Sequence, residues 1–121
     1  MKNTAAFLVD IGKIEFAEVE VPKIKANEVL VKMEAVGVCG SDVHYYSHGK
    51  IGDFVVEFPF ILGHECAGTV VETGSEVTNL KVGDRVALEP GVPCGSCEFC
   101  LSGRYNLCPD VKFFATPPVG G

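Results

Sequence analysis

Short runs that are rich in apolar residues, most of them alternating with polar ones, recur within the first ninety positions of the 121-residue chain. Such alternation is typical of strands that bury one face and expose the other. The runs lie at 4–10, 14–21, 28–36, 67–72 and 84–89, and the turn-forming residues 73–75 and 82–84 separate the last two. Fourteen glycines and seven prolines punctuate them. The pattern predicts a mainly β fold, a small antiparallel barrel or sandwich with long loops.

The alternation also assigns faces to two of these strands. In the first, Ile14 and Phe16 should face the interior, while Glu15, Glu18 and Glu20 form a solvated face. In the second, the apolar residues share one face, which we expect to be buried: Val29, Val31, Met33 and Ala35.

Two segments depart from this alternation. Residues 43–48 have the character of one short helix, with Ser41 or Asp42 as its N-cap and Gly49 as its stop. From residue 89 to residue 121 the chain becomes rich in Cys, Gly and Pro, which predicts a long loop or lobe. A loop of that length without regular structure needs something to hold it.

Composition narrows the possible partners. Ten Lys and Arg residues against sixteen Asp and Glu give a formal net charge of −6 at pH 7. Nucleic acids and anionic membranes attract clustered cations, so we expect neither as a partner. No apolar run approaches the roughly 18 residues of a membrane span, and the apolar run before Asp10 is too short for a secretory signal. These features are typical of a cytoplasmic protein.

Four of the six cysteines lie close together near the end of the chain. They form the pattern C-x2-C-x2-C-x7-C, at Cys94, Cys97, Cys100 and Cys108. Four thiolates can surround a tetrahedral Zn²⁺ at about 2.3 Å each, and a set of four leaves no open position. The pattern therefore predicts a structural zinc site that holds the lobe.

Two alternatives to zinc remain for these cysteines. An iron–sulfur site would suit the C-x2-C-x2-C run, but the ferredoxin pattern has three residues before its last cysteine where this chain has seven. Disulfides are the other alternative, and they are rare in a reducing compartment.

A second group of metal-binding residue types comes from two separate segments. Cys39 ends a predicted strand, and His64 and Glu65 precede another. A cysteine, a histidine and a carboxylate suit a catalytic zinc, with a fourth position left for water or substrate. Neighbouring strand residues point to opposite faces, so His64 and Glu65 can share a metal only where Gly63 allows irregular backbone. A single cysteine or histidine is more often an ordinary core or surface residue, and we expect Cys66 to be a buried thiol without a role.

The residues now described carry a family resemblance. Four motifs together resemble the zinc-containing medium-chain dehydrogenases: Gly37–Asp42, Gly63–Gly68, Val82–Val86 and the four-cysteine lobe. Three further stretches are similar to the sorbitol (L-iditol) and xylitol dehydrogenase branch: Val43–Tyr46, Gly49–Phe54 and Phe114–Pro118. The likeness runs from about residue 5 to residue 118.

The resemblance implies a GroES-like catalytic domain and a role for each matching residue. Cys39, His64 and Glu65 match the ligands of the catalytic zinc, and the four lobe cysteines match the structural zinc set. Ser41 and His44 match positions that pass the substrate proton toward the cofactor ribose and solvent. Tyr45 and Phe113 match positions that line the polyol pocket, although either could equally be a core aromatic. His48 has no matching role and should be exposed.

The implied reaction is NAD-dependent oxidation of a polyol's secondary alcohol to a ketose. No G-x-G-x-x-G fingerprint occurs, so we expect residues 1–121 to lack the Rossmann domain that binds NAD. The chain is then a GroES-like catalytic domain fragment, with its zinc lobe at about 90–110, that is inactive alone. The family also implies a homo-tetramer for the full-length protein. The alternatives are a stand-alone zinc-binding GroES-like interaction module and a fragment of a related zinc alcohol or threonine dehydrogenase.

Overall fold

The computed structural model describes residues 2–121 and is mainly antiparallel β, as predicted. The strands are β1 (Thr4–Asp10), β2 (Lys13–Glu18), β3 (Val29–Gly37), β4 (Lys50–Ile51), β5 (Phe54–Val55), β6 (Phe60–Ile61), β7 (Glu65–Thr73), β8 (Arg85–Ala87), β9 (Gly91–Val92) and β10 (Lys112–Phe113). The helices are α1 (Gly40–His48), α2 (Glu98–Leu101) and a 3-10 helix at Tyr105–Leu107. All five predicted runs contain a strand.

The strands form two three-stranded sheets and two small hairpins. The sheets have the orders β2-β1-β6 and β3-β7-β8, and the hairpins are β4-β5 and β9-β10. In the second sheet, Gly37 at the end of β3 pairs with Glu65 at the start of β7. This register places Cys39, just beyond β3, and His64, just before β7, at the same end of the sheet.

The predicted burial of β2 is wrong. Every residue of the strand is exposed, and the exposed fraction reaches 77% for Phe16. The reason is that β2 is an edge strand, paired only with β1, and nothing in residues 2–121 covers its apolar side. In β3 the prediction holds for Val29 and Val31, which are half-buried, but Met33 and Ala35 are exposed. A bulge beyond Met33 also breaks the register of this strand with β7.

A small apolar core fastens α1 to the first sheet. Leu8 of β1, Tyr45 of α1, Val56 and Phe60 are all buried and in one cluster, with Ile51 and Leu62 packed against it. Tyr45 is only 2% exposed, so its ring anchors the helix. The helix that follows Cys39 is thereby held against the sheet that contains β1.

The helix α1 begins earlier than the sequence predicts. Its N-cap is Cys39 rather than Ser41 or Asp42. Asp42 instead lies in the first turn of the helix. Its carboxylate accepts the N–H of Cys39 at 2.9 Å, which is the reciprocal hydrogen bond of a capping box. The predicted stop is confirmed, because Gly49 has the left-handed φ of 70° that ends many helices.

The segment beyond residue 89 is more ordered than a loop. It contains the β9-β10 hairpin, α2 and the 3-10 helix, and the hairpin pairs Lys112 with Val92. The hairpin closes the lobe at its base, and the cysteine-rich part lies between its strands. Among the helices of residues 2–121, none has both the length and the apolar character needed to cross a membrane.

The close approach of β3 and β7 gives a first testable prediction. A Cβ added at Gly68 would clash with the backbone carbonyl of Lys32. We expect Gly68→Ala to lower the free energy of unfolding by about 1–3 kcal/mol, measured by denaturant titration. Gly40→Ala is the matched control, because a Cβ at Gly40 meets open space and alanine is the better helix former. Equal stability of the two variants would contradict this strand packing.

Candidate metal centres

The four lobe cysteines meet in one small cluster. Their sulfur atoms all lie within 4.8 Å of one another, with 3.9 Å between Cys94 and Cys100 and 3.4 Å between Cys97 and Cys100. Four sulfurs around one tetrahedral zinc at about 2.3 Å are separated by about 3.8 Å. All six cysteines of the chain are free thiols, which does not favour the disulfide alternative. The spacing fits a single metal ion.

Local backbone geometry aims N–H groups at these sulfurs. Cys94 Sγ accepts the N–H groups of Ser96 at 3.4 Å and Cys97 at 3.3 Å, and Cys97 Sγ accepts that of Cys100 at 3.5 Å. Gly95 makes the first of these turns with a φ of +77°, a conformation that side chains other than glycine rarely adopt. Cys108 Sγ is held from the other side by the N–H of Cys94 at 3.4 Å. Donors in this arrangement stabilise thiolates.

The pKa values of two of these thiols are consistent with a site that binds a cation. Hydrogen bonds from the N–H and hydroxyl of Ser96, and then from the N–H of Cys97, lower the pKa of Cys94 to about 6. Burial and then the neighbouring Cys97 sulfur raise the pKa of Cys100 to about 12. Several thiolates so close together repel one another unless a positive charge lies between them. The donor set therefore suits a metal dication, which would hold all four as thiolates.

The second cluster of candidate ligands lies where the end of β3 meets the start of β7. One ligand atom from each of Cys39, His64 and Glu65 lies within 4.8 Å of the others. His64 is buried, Cys39 half-buried and Glu65 exposed, so the group opens toward solvent on one side. Gly63 has a φ of +105°, which supplies the irregular backbone that two adjacent ligands require. The structure thus brings together the three residues singled out in the sequence.

Asp42 connects the two segments that carry these ligands. One carboxylate oxygen accepts the N–H of Cys39 at 2.9 Å, and the other accepts the N–H of Gly63 at 3.3 Å. The latter oxygen also lies 4.0 Å from Nδ1 of His64. The sequence indicates only a helix-capping role for Asp42, because the contact across 21 residues to Gly63 has no local signal. The residue is only 7% exposed, so a buried carboxylate braces the cluster.

A buried nitrogen in this cluster has no hydrogen bond. Nδ1 of His64 is inaccessible to solvent and has no partner among residues 2–121. Buried polar groups are nearly always satisfied, so such an atom calls for an explanation. With a thiol and a carboxylate beside its ring, the residues fit a bound cation.

The other predicted site residues are distributed around this cluster. Ser41 is half-buried in the first turn of α1, and His44 lies exposed three residues later on the same side of the helix. Phe113 packs its ring edge-on against His64, with 5.2 Å between ring centroids. Tyr45 lies in the core, where burial raises the pKa of its phenol. Within this chain the Tyr45 ring therefore packs against apolar side chains.

Cys66 belongs to neither cluster. It lies half-buried on β7, where burial, and then the charge of Asp42, raises the pKa of its thiol. Because Cys66 is half-buried and lies outside both clusters, its substitution is a suitable control for substitutions of the clustered cysteines.

The fold and the two ligand clusters define a small β domain built to bind metal. Residues 25–121 match the family model of the alcohol dehydrogenase GroES-like domain, and the chain belongs to that family. The resemblance seen in the sequence is therefore confirmed.

Two relatives are similar to this chain over almost its whole length. The sorbitol dehydrogenase of Bacillus subtilis (strain 168) is 61% identical over 97% of this chain and 33% of its own length. A probable D-xylulose reductase A of Emericella nidulans is 50% identical over 99% of this chain and 34% of its own length. This chain spans about a third of the length of these relatives.

Solved structures show the same fold. The crystal structure of an Escherichia coli oxidoreductase/dehydrogenase of unknown specificity has a TM-score of 0.88 and 52% identity, over 100% of this chain and 36% of that one. Galactitol-1-phosphate dehydrogenase from Escherichia coli has a TM-score of 0.86 and 35% identity, over 100% of this chain and 34% of that one.

Proposed function

We propose that this chain is the zinc-holding catalytic part of a polyol dehydrogenase that uses NAD to oxidise a secondary alcohol to a ketone. The observation that carries the proposal is the cluster of Cys39, His64 and Glu65, in a chain 61% identical to a sorbitol dehydrogenase. That relative and the probable D-xylulose reductase are about three times as long as the matched part. The NAD-binding part therefore belongs, in this proposal, to the remainder of a longer protein.

Cys39, His64 and Glu65 would hold the catalytic zinc. Bound there, zinc supplies Lewis acidity toward an alcohol oxygen and lowers the pKa of the hydroxyl. One thiolate and one carboxylate balance the charge of the dication, and the exposed side of the cluster leaves room for the substrate oxygen. Structures of similar proteins with bound NADP and NADH support a nicotinamide as the hydride acceptor.

Ser41 and His44 would carry the substrate proton away. Their spacing of three residues places both on one side of α1, from the half-buried first turn to the exposed second turn. A hydroxyl can accept and donate a proton at once, and an exposed imidazole can pass a proton to water. Phe113, whose ring packs against His64, would help to fix the orientation of that ligand. A substrate role for Tyr45 stays a prediction.

The four lobe cysteines would hold a second, structural zinc. The set of four thiolates leaves no position for a substrate, so this ion stabilises the lobe without touching the reaction. Because β10 at the base of the lobe carries Phe113, the lobe also positions an aromatic ring beside the catalytic cluster.

Metal analysis and an activity assay together test the proposal. We expect two zinc ions per 121-residue chain, and oxidation of sorbitol or xylitol with NAD by the full-length protein but not by this chain alone. A full-length protein that holds two zinc ions but oxidises neither polyol would contradict the proposed substrate class. A chain that binds iron in the lobe would contradict the structural zinc.

The brace formed by Asp42 gives a prediction for zinc affinity. Asp42→Asn keeps only one acceptor oxygen, so the N–H of Cys39 and that of Gly63 can no longer both be satisfied. Loss of such a supporting contact costs about 10–100-fold in metal affinity. Competition with a chelator should show weaker binding of one zinc and unchanged binding of the other. Glu34→Gln, on the exposed part of β3, is the control, and equal affinities in the two variants would rule out the brace.

A further inference from the structure

Two histidines lie outside both metal centres, on the exposed side of α1. His44 and His48 are four residues apart, which stacks them on one face of the helix. Their ring centroids are 4.8 Å apart and their planes are tilted by 32°. Both side chains are exposed, and the ion pairs of residues 2–121 involve neither ring. The two imidazoles are free to bind a ligand between them.

The position of the pair on the helix favours a cation. His48 is the last residue of α1, where the carbonyl groups of the last turn give the helix its negative end. Two of these carbonyls accept N–H groups, that of Tyr45 from Gly49 at 2.8 Å and that of Tyr46 from Gly12 at 2.7 Å. A cation held by both rings would lie within about one turn of this negative end, where the helix dipole acts.

We propose that His44 and His48 form a binding site for one divalent transition-metal ion of the class that prefers imidazole, such as Ni²⁺ or Zn²⁺. Two histidines four residues apart on a helix are a known pair of ligands for one zinc ion, and imidazole also suits nickel. Within residues 2–121, the groups of three or more candidate ligands are the two centres already described. Water must therefore complete the coordination at this pair, so its affinity is lower than that of either centre.

Occupation of the pair would have a consequence that rests on the proposed function. His44 is the outer member of the proposed proton path, and an imidazole nitrogen that ligates a metal cannot accept a proton. Excess metal at His44 and His48 should therefore inhibit the full-length enzyme without removing either zinc.

Binding is tested on the zinc-loaded 121-residue chain, with Ni²⁺ as the probe. Labelled imidazole groups report separately on the three histidines by NMR, because paramagnetic Ni²⁺ broadens the signals of its ligands. We expect His44 and His48 to broaden together and His64 to stay sharp, with the zinc content unchanged. His48→Ala should weaken nickel binding at least about tenfold, since the second ligand of a chelating pair acts at high effective concentration. Equal affinity in the wild-type chain and this variant would overturn the site.

Inhibition is tested separately on the full-length protein. Each protein's turnover is expressed relative to its own rate without nickel, so any direct effect of the substitution cancels. We expect the nickel concentration for half inhibition to rise at least about tenfold in His48→Ala, following the loss of binding. Equal inhibition of both proteins would overturn the regulatory part. The NMR experiment needs no substrate, so its result stands apart from the proposed function.

Discussion

Replacing Cys100 by alanine should remove one zinc ion per chain and unfold the lobe between β9 and β10. Cys100 contributes one of four sulfurs that lie within 4.8 Å of one another, and α2, which contains it, has only four residues. No residue of α2 or of the 3-10 helix is buried, so these elements have little apolar packing of their own. In small domains, structural zinc contributes an apparent binding free energy of about 10–16 kcal/mol at pH 7. The loss of one ligand therefore removes most of what holds this segment.

Metal content and limited proteolysis measure this effect. We expect zinc to fall from two ions to one, and new cleavage sites to appear only in the lobe. Cys66→Ala is the matched control, because it removes a thiol of similar exposure that lies in neither cluster. Two zinc ions and a protease-resistant lobe in Cys100→Ala would mean that the lobe does not depend on metal.

Replacing Cys39 by alanine should abolish polyol oxidation by the full-length protein while the lobe keeps its zinc. Cys39 supplies the only thiol of its cluster, and the remaining histidine and carboxylate are a weaker donor pair for zinc. A Lewis acid at the substrate oxygen contributes several kcal/mol to the stabilisation of the transition state. We therefore expect kcat to fall by about 1000-fold or more.

The comparison with Cys66→Ala separates this loss of chemistry from a loss of stability. Both changes shorten a half-buried cysteine in the neighbourhood of β7, and Cys66→Ala should keep both zinc ions and near-normal turnover. A Cys39→Ala enzyme with substantial turnover, or with two zinc ions still bound, would remove Cys39 from the catalytic site.

The sequence predicted the candidate ligands better than it predicted burial. Most N–H contacts to the sulfurs of the four-cysteine pattern are local, since those of Ser96, Cys97 and Cys100 span only two or three residues. Gly49 ends α1 as predicted, since the left-handed conformation is a local preference of glycine. By contrast, alternation in β2 indicated a buried face that residues 2–121 leave exposed. Alternation shows which side of a strand is apolar, but it does not show whether another element covers that side.

The sequence by itself determined the class of the domain and the chemical types of both candidate ligand sets. The tertiary structure decided how those residues work together: the Gly37–Glu65 register brings Cys39 beside His64, and the carboxylate of Asp42 joins Cys39 to Gly63. It also placed Tyr45 in the core and Phe113 against His64. Each of these contacts links segments far apart in the chain. Local sequence preferences act within a few residues, so they cannot specify partners that only strand pairing and packing bring together.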